Sequence, residues 1–273
     1  MESFVIIGDI SLNEYVTIYN NKAKNSKAIN SNNFINDLIN YSNQINMSFS
    51  LITSPLLDDV GNEYVKKIES NKVRVFFPSE DKASPFSLII NQKNKNVISM
   101  KTKKDLDSIT PLFLKSIKGA FKNSNYIFIS TKLPFNTLNY IFEEYKDRRI
   151  IFYCENEDDY KKMYPYISKA FLILVNIHNV KKMLNYNNNQ PTSRYVDTIL
   201  KKKVHSVCLF GKNEDIYYGV EDNIFFIERN EKIKNNDNDT MYAKFASALI
   251  FKLINDGSIH EAISVGNISI NEK

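Results

Sequence analysis

Short runs of apolar, often β-branched residues alternate along this chain with segments in which apolar positions return every three or four residues. A brief apolar run bounded by polar residues fits a strand buried on both faces, whereas the longer spacing marks one face of a helix. The alternation predicts an α/β protein: a central, mainly parallel sheet with helices on both faces. Strands are expected at 4–7, 49–53, 74–77, 126–130, 150–153, 170–175 and 206–210, and helices at 33–45, 62–70, 111–121, 134–145 and 158–166. Most intervening segments are long enough for the crossover that joins parallel neighbours.

Two regions break the alternation. Segments 86–90 and 97–100 read as strands joined by a polar turn, which predicts a hairpin outside the main sheet that serves as a small β lid. Phe86, Leu88 and Ile90 would share one face of it and cover either a cleft or a partner subunit. An Asn-rich break at 186–191 precedes a helix expected at 192–202. Near the carboxy terminus Met241, Phe245, Ala248, Leu249 and Leu253 recur at helical spacing, Gly257 stops the helix, and Glu261-Ala262-Ile263 opens a second one.

Composition narrows the partners. Apolar residues make up 43% and charged residues 25%, so a packed core is expected rather than disorder. The longest apolar run, 170–175, is far short of the roughly 20 residues that cross a bilayer, so no membrane span is expected. The amino terminus reaches Asp9 too soon for the apolar core of an export signal. Cys154 and Cys208 lack metal or disulfide spacing and read as buried strand residues in a reducing, cytoplasmic setting. The net charge of +5 is spread among acids and asparagines, with Lys201-Lys202-Lys203 as the densest run, so no nucleic-acid partner is expected. His178, His205 and His260 stand apart, and no metal site is expected from them. Asp58-Asp59 and Asp158-Asp159 read as helix-start acids that complement the dipole. Tyr15, Tyr19, Tyr217 and Tyr218 read as sheet packing.

Several motifs then fall in a suggestive order. They are Val5-Ile6-Ile7-Gly8-Asp9-Ile10-Ser11-Leu12-Asn13, Leu56-Leu57-Asp58-Asp59-Val60-Gly61, Leu174-Val175-Asn176-Ile177-His178-Asn179, and the segment 237–268, in which a Thr-bearing turn is followed by a long helix, a Gly-bearing break and a helix beginning Glu-Ala-Ile. Together they resemble the ribokinase/PfkB family of carbohydrate and nucleoside kinases. The resemblance implies a ribokinase-like fold in one domain over 1–273, with the lid near 86–100. It also implies a small sugar or nucleoside ligand at the carboxyl ends of the strands and a homodimer formed through the lid. Ser11 and Asn13 would lie on the substrate side and Gly211 on the nucleotide side. An active member would use ATP and magnesium.

The departures from the family pattern bear on activity. In the family a Gly-Ala-Gly-Asp turn opens the long helix, its amides holding the transferring phosphoryl group and its Asp acting as base. Here that turn reads Thr240-Met241-Tyr242-Ala243, which leaves a degenerate anion hole and a residue that cannot accept a proton. The family's magnesium-associated Asn-x-x-Glu runs from Asn176 to Asn179, and an amide is a poor substitute for a carboxylate beside a hard cation. Residues 22–40 hold none of the glycines of the family's sugar-binding segment, and the chain has no Gly-x-Gly. The first reading is a catalytically impaired, pseudokinase-like protein with no catalytic residue, no metal and no assigned cofactor, which binds a small ligand or regulates a partner. The alternative is an active, divergent ATP- and magnesium-dependent sugar or nucleoside kinase with Asp237 or Asp239 as base.

Overall fold

The structure is a computed structural model that describes residues 3–10, 12–19, 22–26, 34–57, 59–70, 72–79, 86–92, 95–101, 106–186, 190–211, 213–229 and 240–271. In chain order the strands are β1 (Ser3–Ile7), β2 (Leu12–Tyr19), β3 (Lys22–Ser26), β4 (Phe49–Ile52), β5 (Val73–Phe76), β6 (Phe86–Gln92), β7 (Lys95–Lys101), β8 (Ser124–Ile129), β9 (Arg149–Cys154), β10 (Leu172–Asn176), β11 (Ser206–Phe210), β12 (Ile216–Val220) and β13 (Asn223–Ile227). The helices are α1 (Phe34–Gln44), α2 (Asp59–Ile68), α3 (Pro111–Ser116), α4 (Phe135–Glu144), α5 (Glu157–Met163), α6 (Val180–Met183), α7 (Thr192–Leu200), α8 (Met241–Ile254) and α9 (Ile259–Asn271).

The main sheet runs β13-β12-β11-β10-β9-β8-β1-β4-β5, parallel from β11 to β5 and closed at the other edge by the antiparallel pair β12 and β13. Successive strand residues point to opposite faces, and here both faces are apolar, as a sheet covered on both sides requires. Phe4 and Ile6 of β1, Phe49 and Leu51 of β4, Phe128 of β8 and Phe210 of β11 enter one core with α1, α2, α8 and α9. Val5, Ile7, Ile127, Ile129, Ile150 and Phe152 enter the other, beneath helices that include α4, α5 and α7.

α8 is the most deeply set helix. It packs against α1 and α9, and Phe245 is fully buried with its ring 4.6 Å from that of Phe210. α9 approaches so closely that a Cβ at Gly266 would sit 2.9 Å from the Phe245 ring and 3.1 Å from its carbonyl oxygen. Glycine is what allows the two helices to meet there. Buried Ser247 donates its hydroxyl to the Ala243 carbonyl at 2.8 Å, with the Leu38 carbonyl of α1 at 3.2 Å, so this polar group is satisfied inside the core.

The structure adds to or alters the expected elements in three places. Outside the main sheet lies a separate four-stranded sheet, β3-β2-β6-β7, in which β2 pairs in parallel with β6 and antiparallel with β3. β6 and β7 are the expected hairpin and do lie outside the main sheet; the side chains of Phe86, Leu88 and Ile90 lie outside the described ones. The expected strand set also lacked β12 and β13, where Gly219 breaks the apolar run and Glu221 (φ 54°) turns the chain between the strands. The helix expected over 111–121 is α3 followed by a separate 3-10 turn, Lys118–Phe121.

Truncating Phe245 tests the placement of α8. Phe245→Ala is expected to lower the unfolding free energy by about 3–5 kcal/mol in chemical denaturation, and a loss below about 1 kcal/mol would contradict the buried stack described here.

Candidate functional site

The chain builds outward from β1 to β4 and β5, then crosses back to β8 on the other side of β1 and builds outward again. Strand order therefore reverses between β1 and β8, and open α/β sheets place ligands just beyond the carboxyl ends of the strands at such a switch. A cleft of about 660 Å³ opens at that point. Its floor is made by residues at the strand ends: Asp9 past β1, Ser130, Thr131 and Lys132 past β8, Glu155 past β9, and Asn176 closing β10. The first turn of α1 contributes Phe34, Ile35 and Asp37, and the start of α8 contributes Thr240 and Tyr242.

Hydrogen bonds fix the floor. Ser130 donates its amide to the Ile7 carbonyl at 2.7 Å and so joins the ends of β8 and β1. Thr131 donates its hydroxyl to Asp159 at 2.6 Å, and the second oxygen of Asp159 accepts the Glu155 amide at 3.1 Å. Asp159 lies in the first turn of α5, whose cap Asn156 accepts the Asp159 amide at 3.1 Å, so this acid does complement a helix start. Asp9 is 1% exposed, and its carboxylate lies 4.0 Å from the Lys132 ammonium.

One wall is aromatic. Phe34 stacks on Tyr153 at 4.5 Å and on Phe128 at 5.6 Å, and Tyr242 lies 6.1 Å from Tyr153 and 5.2 Å from Phe210. Burial holds the Tyr153 phenol well above its ordinary pKa, and the Asn176 side chain hydrogen-bonds it. Burial also pushes the Asp37 carboxyl up to about 6.

The expected site residues divide. Thr240, Tyr242 and Asn176 meet at the cleft. Met241 and Ala243 point into the core, at 5% and 1% exposure, so of the first turn of α8 only Tyr242 faces the cavity beside Thr240. The Thr240 hydroxyl accepts the Tyr41 hydroxyl at 3.3 Å. Asn179 donates its side-chain amide to the Glu155 carbonyl at 2.9 Å, while Asn176 Oδ1 accepts the His178 amide at 3.0 Å. These side-chain amides tie neighbouring loops together. Among the described residues no group of three His, Cys, Asp or Glu is placed to hold a metal ion. Gly211 follows the end of β11; a Cβ there would collide with the Ile177 side chain, so its glycine serves packing against the turn after β10. Asn13 lies in β2 of the lid sheet, and Ser11, Asp237 and Asp239 lie outside the described residues.

Phe34, Asp37, Thr131, Lys132, Tyr153 and Glu155 escaped the sequence reading. Their common signal is position, since most of them fall within a few residues of a strand's carboxyl end on either side of the switch between β1 and β8.

No protein-family model matches the chain, and no curated protein matches it in sequence. Solved structures do match over nearly its full length. A carbohydrate kinase from Agrobacterium tumefaciens is 14% identical with a TM-score of 0.77, the match covering 99% of this chain and 90% of that one. A ribokinase from Thermotoga maritima is 11% identical with a TM-score of 0.75, covering 99% and 92%. The adenosine kinase of Anopheles gambiae, solved with diadenosine tetraphosphate, is 10% identical with a TM-score of 0.76, covering 98% and 94%. The chain has the ribokinase-like fold of sugar and nucleoside kinases, and at such identities the likeness establishes the fold alone.

Asp37 makes the cleft sensitive to pH. Its raised folded pKa means that the folded state holds this proton more tightly than the unfolded chain, so its contribution is full below about 4 and is lost as pH rises through about 6. Asp37→Asn should therefore gain stability relative to wild type between those values, on the order of 1 kcal/mol because the group is half exposed and solvent-screened. Melting curves across that range in which the gap stays constant would contradict this.

Proposed function

We propose that this chain is a ribokinase-like protein that binds a small sugar- or nucleoside-like molecule in the cleft, with phosphoryl transfer greatly weakened relative to active kinases of this fold. The observation that carries the reading is the first turn of α8. Ala243 and Met241 are buried in the core and Tyr242 stands at the cleft. A phosphoryl group must approach backbone amides closely at a helix start, and a carboxylate must take the hydroxyl proton. The side chain of Tyr242 obstructs the first and Ala243 cannot do the second. Each of these contributions is worth about 10²-fold or more in rate, although residues acting as a unit do not simply multiply. Ligand names among the structural neighbours support a sugar or nucleoside for the cleft.

In this reading 1–273 is a single domain, Ser11 and Asn13 lie on the substrate side, and the lid sheet pairs two copies of the chain. A cytoplasmic location accords with two free, buried cysteines. No helix among the described residues is long and apolar enough to cross a membrane.

A second reading has one specific observation in its favour. Asp37 lines the same cleft as Thr240 and Tyr242 with a carboxyl titrating near 6, close to where a general base works best. An active kinase would then draw its base from α1, or from Asp237 or Asp239.

Phosphoryl transfer from ATP to a panel of sugars and nucleosides separates the two. The first reading predicts turnover far below the 1–100 s⁻¹ usual for kinases, together with thermal stabilisation by a panel member of about 2.7 kcal/mol at 100 times its Kd. Substrate-dependent turnover in the usual range, abolished by Asp37→Asn, Asp237→Asn or Asp239→Asn, would establish the second.

A further inference from the structure

The chain is basic and the described lining of its cleft is not. Against a net charge of +5, the described lining residues include four acids, Asp9, Asp37, Glu155 and Asp159, and one cation, Lys132. Two of the acids are occupied by their neighbours. Asp159 accepts from Thr131 and from the Glu155 amide, and Asp9 is buried beside Lys132.

Asp37 and Glu155 remain. Asp37 lies three residues after Phe34 on α1, which places both on one side of the helix. Glu155 lies two residues after Tyr153, just past the end of β9, and both line the cleft. The rings of Phe34 and Tyr153 stack at 4.5 Å, so each member of this aromatic pair has a carboxylate close to it along the chain. Tyr242 adds a third ring. Electron-rich ring faces next to carboxylates attract a cation, and the ammonium–aromatic part alone is worth about 0.5–2 kcal/mol. The opposing influence is the amino-terminal pole of α8, equivalent to roughly half a positive charge. Among the described residues two carboxylates outweigh it, so a phosphate entering the cleft meets net repulsion from them.

Resting on the reading of this cleft as the ligand site, we infer that it selects a protonated, amine-bearing small molecule, of the size of an amino sugar or aminonucleoside, over its neutral or phosphorylated counterpart. The volume of about 660 Å³ falls within the range of small-molecule sites.

Two matched sets of probes, each varying charge on one scaffold, test this by calorimetric titration of the full chain at neutral pH. The first set is glucosamine, glucose and glucose 6-phosphate; the second is aminodeoxyadenosine, adenosine and adenosine monophosphate. In at least one set the amine is expected to bind about tenfold or more tightly than the neutral member, with the phosphate weakest. Asp37→Asn and Glu155→Gln should each shrink the ratio of amine to neutral affinity. Should Asp37→Asn fail to fold, Glu155→Gln, an exposed position, carries the test alone. A neutral or phosphorylated probe that binds as tightly as its amine overturns the inference and leaves the cleft standing as a ligand site. Binding by no probe of either set overturns the inference together with the sugar or nucleoside reading beneath it. An amine preference untouched by both substitutions also overturns it, since the cation would then be held elsewhere.

Discussion

The close meeting of α8 with α9 and the sheet, at Phe245 and Gly266, is the constraint on which the rest of this molecule depends. Phe245 stacks on Phe210 at the end of β11, and α9 can lie against its other side only because Gly266 has no Cβ to collide with the ring. With the body of α8 held so firmly, its first turn has little freedom to adjust. Met241 and Ala243 continue the buried face of the helix, and Tyr242 is turned toward the strand ends. Core packing thus decides which side chain the cleft receives from the helix start.

The remainder of the cleft comes from strand topology. Reversal of strand order at β1 and β8 leaves a gap above the sheet, and the residues just past each strand fall into it. Several of them are used to hold loops rather than to face a ligand. Asp159 gathers Thr131 and the Glu155 amide, Asn179 holds the Glu155 carbonyl, and Asn176 holds both Tyr153 and the turn after β10. The effect, among the described residues, is an acidic and aromatic cavity beyond the strand ends.

Much of the fold was legible because burial on both faces of a parallel sheet writes continuous apolar runs, as at 206–210, and because α8 repeats its apolar positions without interruption. The lid strands β2 and β3 were not legible: Leu12–Tyr19 mixes polar with apolar residues, and Lys22–Ser26 contains lysine, asparagine and serine, with only Ala23, the partner of Ile18, as an apolar residue. Strands held chiefly by pairing leave little hydrophobic signature. For the site, the turn at Thr240–Ala243 and Asn176 could be found by motif order. Asp37 and Tyr153 could not, since an Asp within a helix and a Tyr within a strand look ordinary until the topology brings α1 over the end of β9.

The central claim, that the start of α8 has ceased to be a phosphate-holding turn, is tested most directly by hydrogen–deuterium exchange of the full chain with and without ATP. The amides of residues 240–243 are predicted to exchange at the same rate in both conditions. Marked protection of those amides by ATP would contradict it.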